Sequence, residues 1–400
     1  MALGSQREES SRALLRAIST LGPVARADLA TETGLSRPTV TEITADLLKA
    51  GLIKEVARDT KNESLKRGRP RVDLKIDGTA RYVAGLKVAS TKISLVLTDF
   101  EGVPTATVDH DLAPGPQPAE YLANEIAQAL EALAREADLS LSMISGVGVG
   151  MAGIIDGETG HVYWSPSLTA KDVAFQAILA QRLSMPVFID NDANLVAIAE
   201  KRVGLGRGLS DFIVVTIEGG VGMGIVLGGE VYRGARGSGA EFGHTKIQFE
   251  GELCRCGQRG CLEAYVADYA IQREAAKVGA VSAALQSGEA AMHIFQAAEK
   301  GDERALAVLS KAGRMFAMGL ANIVNVFDPE LIILAGEQLQ SDHLYSRTVL
   351  EETRQNSIQI GKPSPRVEVH DWDNMMWARG AAAYALEFVL DLSVKGLHRA

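Results

Sequence analysis

The residues whose types and spacing most clearly point to chemistry are the three cysteines. Cys254, Cys256 and Cys261 lie within eight residues of a 400-residue chain that holds three cysteines in all. An odd number of cysteines at such short spacing argues against a disulfide framework. Clustered thiols are typical of a metal site. The alternative is a set of three buried, reduced cysteines.

The distribution of charge separates a small basic segment from a large acidic one. Residues 1–75 hold 14 Lys and Arg against 10 Asp and Glu, a net charge of +4, whereas the remaining 325 residues hold 27 against 40, a net charge of −13. The whole chain is 46% hydrophobic and 23% charged, with 40 glycines and 12 prolines, which excludes a disordered or collagen-like protein. A basic module before an acidic body suggests nucleic-acid contact at one end and a separate task at the other.

Neither a leader nor a membrane span is predicted. The first twelve residues are charged and have no apolar core of the kind found in signal peptides. The apolar segment 139–155 has 17 residues, including four glycines and three serines, and is too short to span a bilayer. We therefore expect a cytoplasmic protein.

The basic segment has the pattern of a helix-turn-helix. Apolar residues at helical spacing predict a helix over 11–21 that ends at Gly22-Pro23, and a second helix over 26–33 ends at Gly34. Ser36 is placed to cap a third helix that reaches about Ala50. In this arrangement the N-terminal end of the third helix enters the major groove of DNA. The predicted contacts to operator DNA there are Ser36, Arg37, Thr39 and Thr41.

The segment after the third helix is predicted to form a basic wing. Residues 53–56 and 72–76 alternate as two strands, and the hairpin 58–71 between them carries six positive charges. Its Lys-Arg-Gly-Arg-Pro-Arg run resembles the short arginine elements that enter a narrow minor groove. The predicted DNA contacts in the wing are Lys66, Arg67, Arg69 and Arg71. The alternative is a solvated basic linker.

The acidic body reads as two α/β lobes of similar composition. Strands are predicted over 82–88, 93–99 and 144–150 around a helix over 122–135. The same order of elements returns with strands at 212–217, 224–227 and 331–334 and helices within 305–325. Two lobes of this kind would bind a ligand in the cleft between them.

Four motifs in the body resemble the ROK family of sugar kinases and sugar-responsive repressors. They are Asn191-Asp-Ala-Asn194, Glu218-Gly-Gly-Val-Gly-Met-Gly224, Glu241-Phe-Gly-His244 and Cys254-Arg-Cys-Gly-Gln-Arg-Gly-Cys-Leu-Glu263. The resemblance extends over essentially the whole chain. The N-terminal winged helix places it beside the xylose and N-acetylglucosamine repressors of that family.

The resemblance implies a fold and a division into domains. The expected fold is α/β, with an N-terminal winged helix-turn-helix followed by a two-lobed, hexokinase/actin-like (ribonuclease H-like) body. The expected domains are the DNA-binding domain 1–76, a first lobe of 77–195 completed by a C-terminal helix over 377–395, and a second lobe of 196–376 that carries a zinc loop. This division puts Asp192 and Glu241 on opposite lobes.

Within the resemblance, His244 completes the cysteine cluster. One imidazole and three thiolates from His244, Cys254, Cys256 and Cys261 are the ligand set of a closed, structural zinc site. We expect one Zn²⁺ per chain that holds a loop in place and leaves no open position for catalysis.

The resemblance also supplies a set of sugar-binding residues. Sugar hydroxyls need acceptors and amide donors set on rigid turns. The residues so implied are Asn191, Asp192, Glu241, His244 and Glu263, with Gly153 and Ser167 in two further loops that depart from the family pattern. For each polar residue taken alone, the alternative is a surface or helix-capping role.

Phosphoryl transfer requires more than a sugar site. A base is needed, for which Asp192 stands in the family position, and so are glycine-rich loops that approach the nucleotide phosphates. The first phosphate loop of the kinases reads Asp-x-Gly-Gly-Thr, but residues 86–91 here provide neither the carboxylate nor the glycines, while Glu218 and Glu337 add negative charge near the other loops. Asp192 is therefore expected to be a vestigial base.

The function we predict is a sugar-responsive DNA-binding regulator, a repressor, whose kinase-derived body no longer transfers phosphate. Its partners would be operator DNA and a small sugar or sugar phosphate, and the family resemblance implies a homodimer or homotetramer. Two alternatives stay open at this point. One is an active ATP-dependent sugar kinase with a regulatory winged helix, and the other is a scaffold without a ligand.

Overall fold

The structure is a computed structural model of the chain. It describes residues 3–57, 72–217, 219–280, 287–336, 347–358, 361, 363–370 and 375–397. Contacts within the chain divide it into two units, of which unit 1 comprises residues 1–190 and 378–400 and unit 2 comprises residues 191–377. The three-domain division expected from the sequence stays a prediction. Among the described residues, no helix has the length and apolar character needed to span a membrane.

The N-terminal head of unit 1 is three helices followed by two strands. Ser36 caps the third helix, because its side chain accepts a hydrogen bond from the amide of Thr39. The two strands pair antiparallel with Ile53 opposite Ile76. These observations confirm the predicted helices and strands of the head, and the wing residues 58–71 lie outside the described part of the chain. The elements are α1 (Leu3–Leu21), α2 (Arg26–Thr33), α3 (Arg37–Lys49), β1 (Ile53–Ala57) and β2 (Val72–Ile76).

The rest of unit 1 is built on a five-stranded sheet in the order β5-β4-β3-β6-β9. Strand β3 pairs antiparallel with β4 and parallel with β6, and β4 pairs antiparallel with β5. The apolar faces of the long amphipathic helix α4 and of α5 pack into the core beside this sheet. The elements are β3 (Tyr82–Val88), β4 (Lys92–Asp99), β5 (Pro104–Asp111), α4 (Ala119–Glu136), β6 (Ile144–Met151), β7 (Ile154–Asp156), β8 (His161–Trp164), α5 (Phe175–Leu183) and β9 (Val187–Asn191).

Unit 2 repeats this sheet order with a second set of strands. Its sheet runs β12-β11-β10-β13-β14, in which β10 pairs antiparallel with β11 and parallel with β13. The repetition confirms the duplicated α/β body that the sequence predicted. The elements are α6 (Asp192–Val203), β10 (Phe212–Ile217), β11 (Val221–Leu227), β12 (Glu230–Val231), α7 (Glu263–Val266), α8 (Asp268–Lys277), α9 (Ser287–Glu299), α10 (Glu303–Phe327), β13 (Leu331–Ala335), α11 (Arg347–Asn356) and β14 (Arg366–Val369).

The last helix, α12 (Met376–Leu397), returns to unit 1 and lies directly on its sheet. A Cβ atom added at Gly85 would lie 2.1 Å from the carbonyl oxygen of Ala378, and one added at Gly148 would lie 1.9 Å from that of Ala381. Contacts this short leave no room for a side chain. Glycine on the strands and alanine on the helix therefore allow the two backbones to meet.

The other end of α12 joins the core of the head. Leu386, Val389 and Leu390 are buried in one cluster with Leu14 and Ile18 of α1. At the edge of this cluster Arg16 donates two hydrogen bonds to Asp391, at 3.0 and 2.7 Å. The head thus shares its hydrophobic core with α12, the helix that packs on the five-stranded sheet of unit 1.

This shared core leads to a stability prediction. Replacing the fully buried Leu386 by Ala (Leu386→Ala) should lower the free energy of unfolding by about 2–5 kcal/mol, because it leaves a cavity between α12 and the head. Amide hydrogen exchange should then accelerate in α1 as well as in α12. The control is Leu392→Ala on the same helix, where the side chain is 40% exposed and the expected change is small. Unchanged exchange in α1 would show that the head is stable without α12.

Candidate functional site

The four predicted metal ligands come together at one place in unit 2. His244 ends a single 3-10 turn over Phe242–His244, and the three cysteines lie on the loop that leads from there to α7. The Cys254 Sγ to His244 Nδ1 distance is 3.7 Å, the Cys256 Sγ to Cys261 Sγ distance is also 3.7 Å, and all four ligand atoms lie within 4.8 Å of one another.

This spacing fits a tetrahedral metal ion. Zinc–sulfur bonds of ~2.3 Å place two thiolates of a tetrahedron roughly 3.8 Å apart. The donor set, three sulfurs and one imidazole nitrogen, is one that Zn²⁺ uses in closed structural sites. The residues present therefore fit zinc in both chemistry and spacing.

Short backbone pairings hold the loop in this shape. Lys246 pairs with Cys261 and Leu253 with Arg259 as isolated antiparallel bridges. Gly260 has a φ of +77°, and a Cβ atom there would lie 1.8 Å from the carbonyl oxygen of Gln248. The turn before Cys261 therefore requires glycine.

The thiols differ in their readiness to ionise when no metal is bound. Burial raises the pKa of the Cys254 thiol to about 12. Burial would also raise the pKa of Cys256, but hydrogen bonds from the Gln258 backbone and the neighbouring thiols outweigh it and leave this pKa below its usual value. Lys246 places its ammonium 2.9 Å from the sulfur of Cys261. Metal binding must displace the Cys254 proton, so protons and metal compete for this site.

Residues 244–261, which carry the four predicted ligands, are called the metal loop. Three carboxylates predicted to bind sugar lie around this loop in unit 2. Glu241 precedes the 3-10 turn, with an oxygen 3.9 Å from His244 Nε2, and Glu263 begins α7. Asp192 begins α6, which packs on β10 and β11. The division at residue 195 puts Asp192 and Glu241 on different lobes. The contacts of α6 group both residues in unit 2, and the boundary at residue 195 stays a prediction.

The charges of these groups influence one another. The side chain of Glu241 keeps 43% of its surface exposed. Partial burial nevertheless raises the pKa of Glu241, and His244 opposes this rise whereas the carboxylates of Asp192 and Glu263 add to it. Such a cluster of acceptors can take hydrogen bonds from several hydroxyl groups of one ligand.

Asn191 and Asp192 also have a local structural role. The Oδ1 atoms of both residues accept a hydrogen bond from the amide of Ala193, each at 2.9 Å. The capping alternative considered for Asn191 is therefore realised in the structure. These hydrogen bonds also fix both side chains at the N-terminal end of α6.

Gly153 and Ser167 belong to unit 1, in the loops that flank the β7–β8 hairpin. Gly153 has a φ of +133°, and a Cβ atom there would lie 2.1 Å from the carbonyl oxygen of Trp164. Ser167 donates its backbone amide to the Ser165 hydroxyl at 3.2 Å. The structure thus orders both loops locally, and their part in sugar binding stays a prediction.

The regions expected to face a nucleotide are described in part. Residues 89–91 form the turn between β3 and β4, closed by a hydrogen bond from the Ala89 amide to the Lys92 carbonyl at 2.9 Å. Gly219 and Gly220 lie between β10 and β11. Glu218 and Glu337 lie outside the described residues.

In the head, the predicted DNA contacts divide between capping and exposed residues. The hydroxyls of Ser36 and Thr39 lie 2.7 Å apart at the start of α3 and hydrogen-bond each other. Arg37 and Thr41 are exposed one turn apart on the same helix. Lys66, Arg67, Arg69 and Arg71 lie outside the described residues.

Three residues near the metal loop carry no motif that would single them out in the sequence. Tyr269 on α8 donates its hydroxyl to Glu263, Lys246 contacts Cys261, and Arg255 places its guanidinium 3.9 Å from the centre of the Tyr269 ring. Arg255 stands between Cys254 and Cys256, and this position is the only sign in the sequence that any of the three residues lies near the site.

The fold and the site define a winged helix-turn-helix regulator built on a sugar-kinase-like body. The family profile described as "ROK family" matches residues 83–387, and one described as "Winged helix-turn-helix DNA-binding" matches residues 7–54. The chain belongs to the ROK family.

Relatives of known name agree with this assignment. The chain is 27% identical over 374 residues to the xylose repressor of Caldicellulosiruptor bescii, which covers 92% of both chains. A solved structure of a ROK family transcriptional regulator, a homologue of the E. coli MLC protein, superposes with a TM-score of 0.82 at 26% identity, covering 98% of this chain and 100% of that one. The ROK hexokinase of Thermus thermophilus is 31% identical, with a TM-score of 0.64, and covers 76% of this chain and 97% of its own. The kinase match covers 76% of this chain, whereas the repressor and regulator matches cover 92% and 98% of it. The chain is thus a DNA-binding transcriptional regulator.

Proposed function

We propose that this protein represses transcription by binding operator DNA through its winged helix and that a small sugar or sugar phosphate, bound by its body, releases the DNA. The observation that carries the proposal is the match over 92% of both chains to a xylose repressor, which includes head and body together. DNA binding in this role also argues for a cytoplasmic protein.

The head supports the operator half of the proposal. Arg37 and Thr41 are exposed at the N-terminal part of α3, the position from which a recognition helix reads the major groove. Acidic residues farther along α3 are paired, since Arg7 of α1 lies 3.0 Å from Glu42 and 2.7 Å from Asp46. This pairing reduces the repulsion that those carboxylates would exert on phosphate. A winged helix of this type reads two half-sites as a dimer, so we propose a homodimer or a homotetramer.

The body supports the sugar half. Asp192, Glu241 and Glu263 supply acceptors for sugar hydroxyls, and Asn191 supplies an amide beside them. We propose that these residues, with His244, form the effector site of unit 2, and a part for Gly153 and Ser167 in sugar binding stays a prediction.

We propose that the metal is one structural Zn²⁺ per chain, held by His244, Cys254, Cys256 and Cys261. When bound, it supplies a fixed tetrahedral crosslink and no catalysis, because all four positions are occupied by protein ligands. The crosslink would fix Glu241 and Glu263, which stand three residues before His244 and two residues after Cys261.

We propose further that phosphoryl transfer has been lost. Residues 86–91 lack the carboxylate and glycines of the kinase loop, and Ala89 and Ser90 add Cβ atoms at that turn. The alternative function, an active ATP-dependent sugar kinase, is favoured by one observation: Asp192 is held at the start of α6 within the influence of Glu241, where a catalytic base would stand.

A zinc prediction follows from the ligand cluster. Protein purified without added metal should contain one zinc per chain by elemental analysis, and zinc affinity should fall as pH is lowered from 8 to 6. The reason is that the Cys254 thiol, whose pKa lies near 12 without metal, must lose its proton on binding. Folded protein with a zinc content near zero would refute the site. Cys256→Ser should lower the zinc content, whereas the wild-type protein keeps it.

A second prediction concerns the wing. Operator affinity should fall by about 10³–10⁵ between 50 and 200 mM salt if a dimer contacts roughly 6–10 phosphates. The double change Arg67→Ala/Arg69→Ala should weaken binding and reduce the log–log salt slope by about 2–4, since it removes four cations per dimer. The control Lys300→Ala/Arg347→Ala removes the same charge from unit 2 and should keep the slope. An unchanged slope in the wing variant would identify the wing as a linker.

The third prediction tests the effector site through Asp192→Asn. Asparagine keeps the oxygen that accepts a hydrogen bond from the Ala193 amide but removes the charge, so operator affinity should stay near wild type while sugar affinity falls about 10- to 150-fold. Fluorescence anisotropy of labelled operator, titrated with D-xylose, D-glucose and N-acetyl-D-glucosamine and with their 6-phosphates where these exist, measures both. Asp172→Asn, an exposed carboxylate in unit 1, is the matched control.

Two outcomes of this experiment would contradict the proposal. Release of DNA at the same sugar concentration in wild type and variant would show that Asp192 does not read the effector. Tighter DNA binding with sugar would reverse the sign of the coupling. The same sugars incubated with ATP decide the alternative, because release of ADP that depends on sugar and on Asp192 would identify a kinase.

A further inference from the structure

Glu263 is a buried carboxylate whose position depends on few contacts. The residue is 9% exposed. At Oε1 it lies 3.2 Å from the Tyr269 hydroxyl and 3.5 Å from Cys254 Sγ, and at Oε2 it lies 3.5 Å from the Val221 amide. The phenol makes the shortest of these three contacts.

The Tyr269 side chain is itself held from two sides. Its backbone lies in the first turn of α8. The Arg255 guanidinium lies over its ring, 3.9 Å from the ring centre. Arg255 in turn donates to the carbonyl oxygen of Gly219 at 3.4 Å. Stacking of this kind stabilises the ring and limits the directions in which the hydroxyl can point.

The chemistry of Cys254 makes the phenol more important once the cysteine ligates a metal. A thiol can donate a hydrogen bond to Glu263, but a thiolate ligand has no proton to donate. Of the two side-chain donors that the structure places at Oε1, Tyr269 is then the one that remains. A buried carboxylate that loses its donors is destabilised and free to turn.

We infer that Tyr269 is a positioning residue for the effector site: its hydroxyl orients Glu263 and thereby sets sugar affinity without touching the sugar. The inference rests on the proposed function for the sugar, and on the contacts given above for the orientation of Glu263. It also explains how the metal loop and the sugar-binding carboxylate are joined, since the Tyr269 hydroxyl lies 3.7 Å from Cys254 Sγ and 3.2 Å from Glu263 Oε1.

The test is Tyr269→Phe in the full-length, zinc-loaded protein, which removes one oxygen and keeps the ring under Arg255. Affinity for D-xylose, D-glucose and N-acetyl-D-glucosamine, measured by calorimetry, should fall about 3- to 10-fold for each sugar that the wild type binds. Zinc content and the absorption spectrum of the Co²⁺-loaded protein should stay unchanged. Unchanged sugar affinity in the variant would overturn the inference.

The matched control is Tyr265→Phe. Tyr265 is buried four residues earlier, and its hydroxyl accepts from the Glu252 amide at 2.8 Å, so this variant also loses one buried hydroxyl. Its sugar affinity should change less than 2-fold. Equal losses in the two variants would show a general loosening of the loop and would overturn a specific role for Tyr269.

A double-mutant cycle with Glu263→Gln separates positioning from structure. If Tyr269 acts through Glu263, its 3- to 10-fold effect on sugar affinity should shrink to less than 2-fold in the Glu263→Gln background. An effect that persists there overturns the inference.

A second cycle, on the unfolding equilibrium constant with Glu263→Ala, needs no sugar. A coupling of about 3-fold or more supports the contact between the two side chains, and independent effects overturn it. Failure of the wild type to bind any of the three sugars would count against the proposed function, while this second cycle would still decide whether Tyr269 holds Glu263.

Discussion

Unit 1 depends on the contact between the backbone of the last helix and the strands of its sheet. Because Gly85 and Gly148 have no side chains, α12 lies on the sheet at the distance of bare backbone. The same helix continues beyond the sheet and buries Leu386, Val389 and Leu390 in the core of the head. A segment about 375 residues away in sequence thus completes the hydrophobic core of the DNA-binding helices. Any change that shifts α12 on the sheet must also act on the head, since interiors packed at this density transmit displacement.

In unit 2 a comparable constraint acts at the metal loop. The four predicted ligand atoms converge within 4.8 Å, and the carboxylates proposed to bind sugar, Glu241 and Glu263, stand three residues before His244 and two residues after Cys261. Without a crosslink, a loop of this length would lose much conformational entropy in holding two carboxylates in fixed positions. The proposed zinc ion would crosslink its ends and remove most of that freedom in advance. The buried contact between Tyr269 and Glu263 extends the constraint from the ligands to the carboxylate.

The relation between regulator and kinase can be understood from these same parts. A sugar site needs hydrogen-bond acceptors and donors held on rigid turns. Such a site can persist when the separate loops that bind a nucleotide have been lost. In the proposed effector site Asp192, Glu241 and Glu263 meet the first requirement, whereas residues 86–91 depart from the second. A body of this type can respond to sugar without consuming it, which suits a protein whose output is DNA binding.

The sequence by itself determined the features that depend on local pattern. The three head helices, the Ser36 cap and three strands of each sheet followed from hydrophobic period and capping residues, because these signals act over a few neighbouring positions. The spacing of Cys254, Cys256 and Cys261 indicated the metal cluster for the same reason. The sugar-binding set came from the family motifs and not from any local pattern, so its prediction was only as detailed as those motifs.

Only the tertiary structure decided the features that join distant segments. It grouped Asp192 with Glu241 in unit 2, because the unit to which α6 belongs is set by its packing on β10 and β11. It brought the Tyr269 hydroxyl to Glu263 and α12 to the head, contacts for which the sequence has no motif. The physical reason is that such contacts depend on the path of the chain through the whole core, whereas composition and periodicity report only on the burial of each residue and on its nearest neighbours.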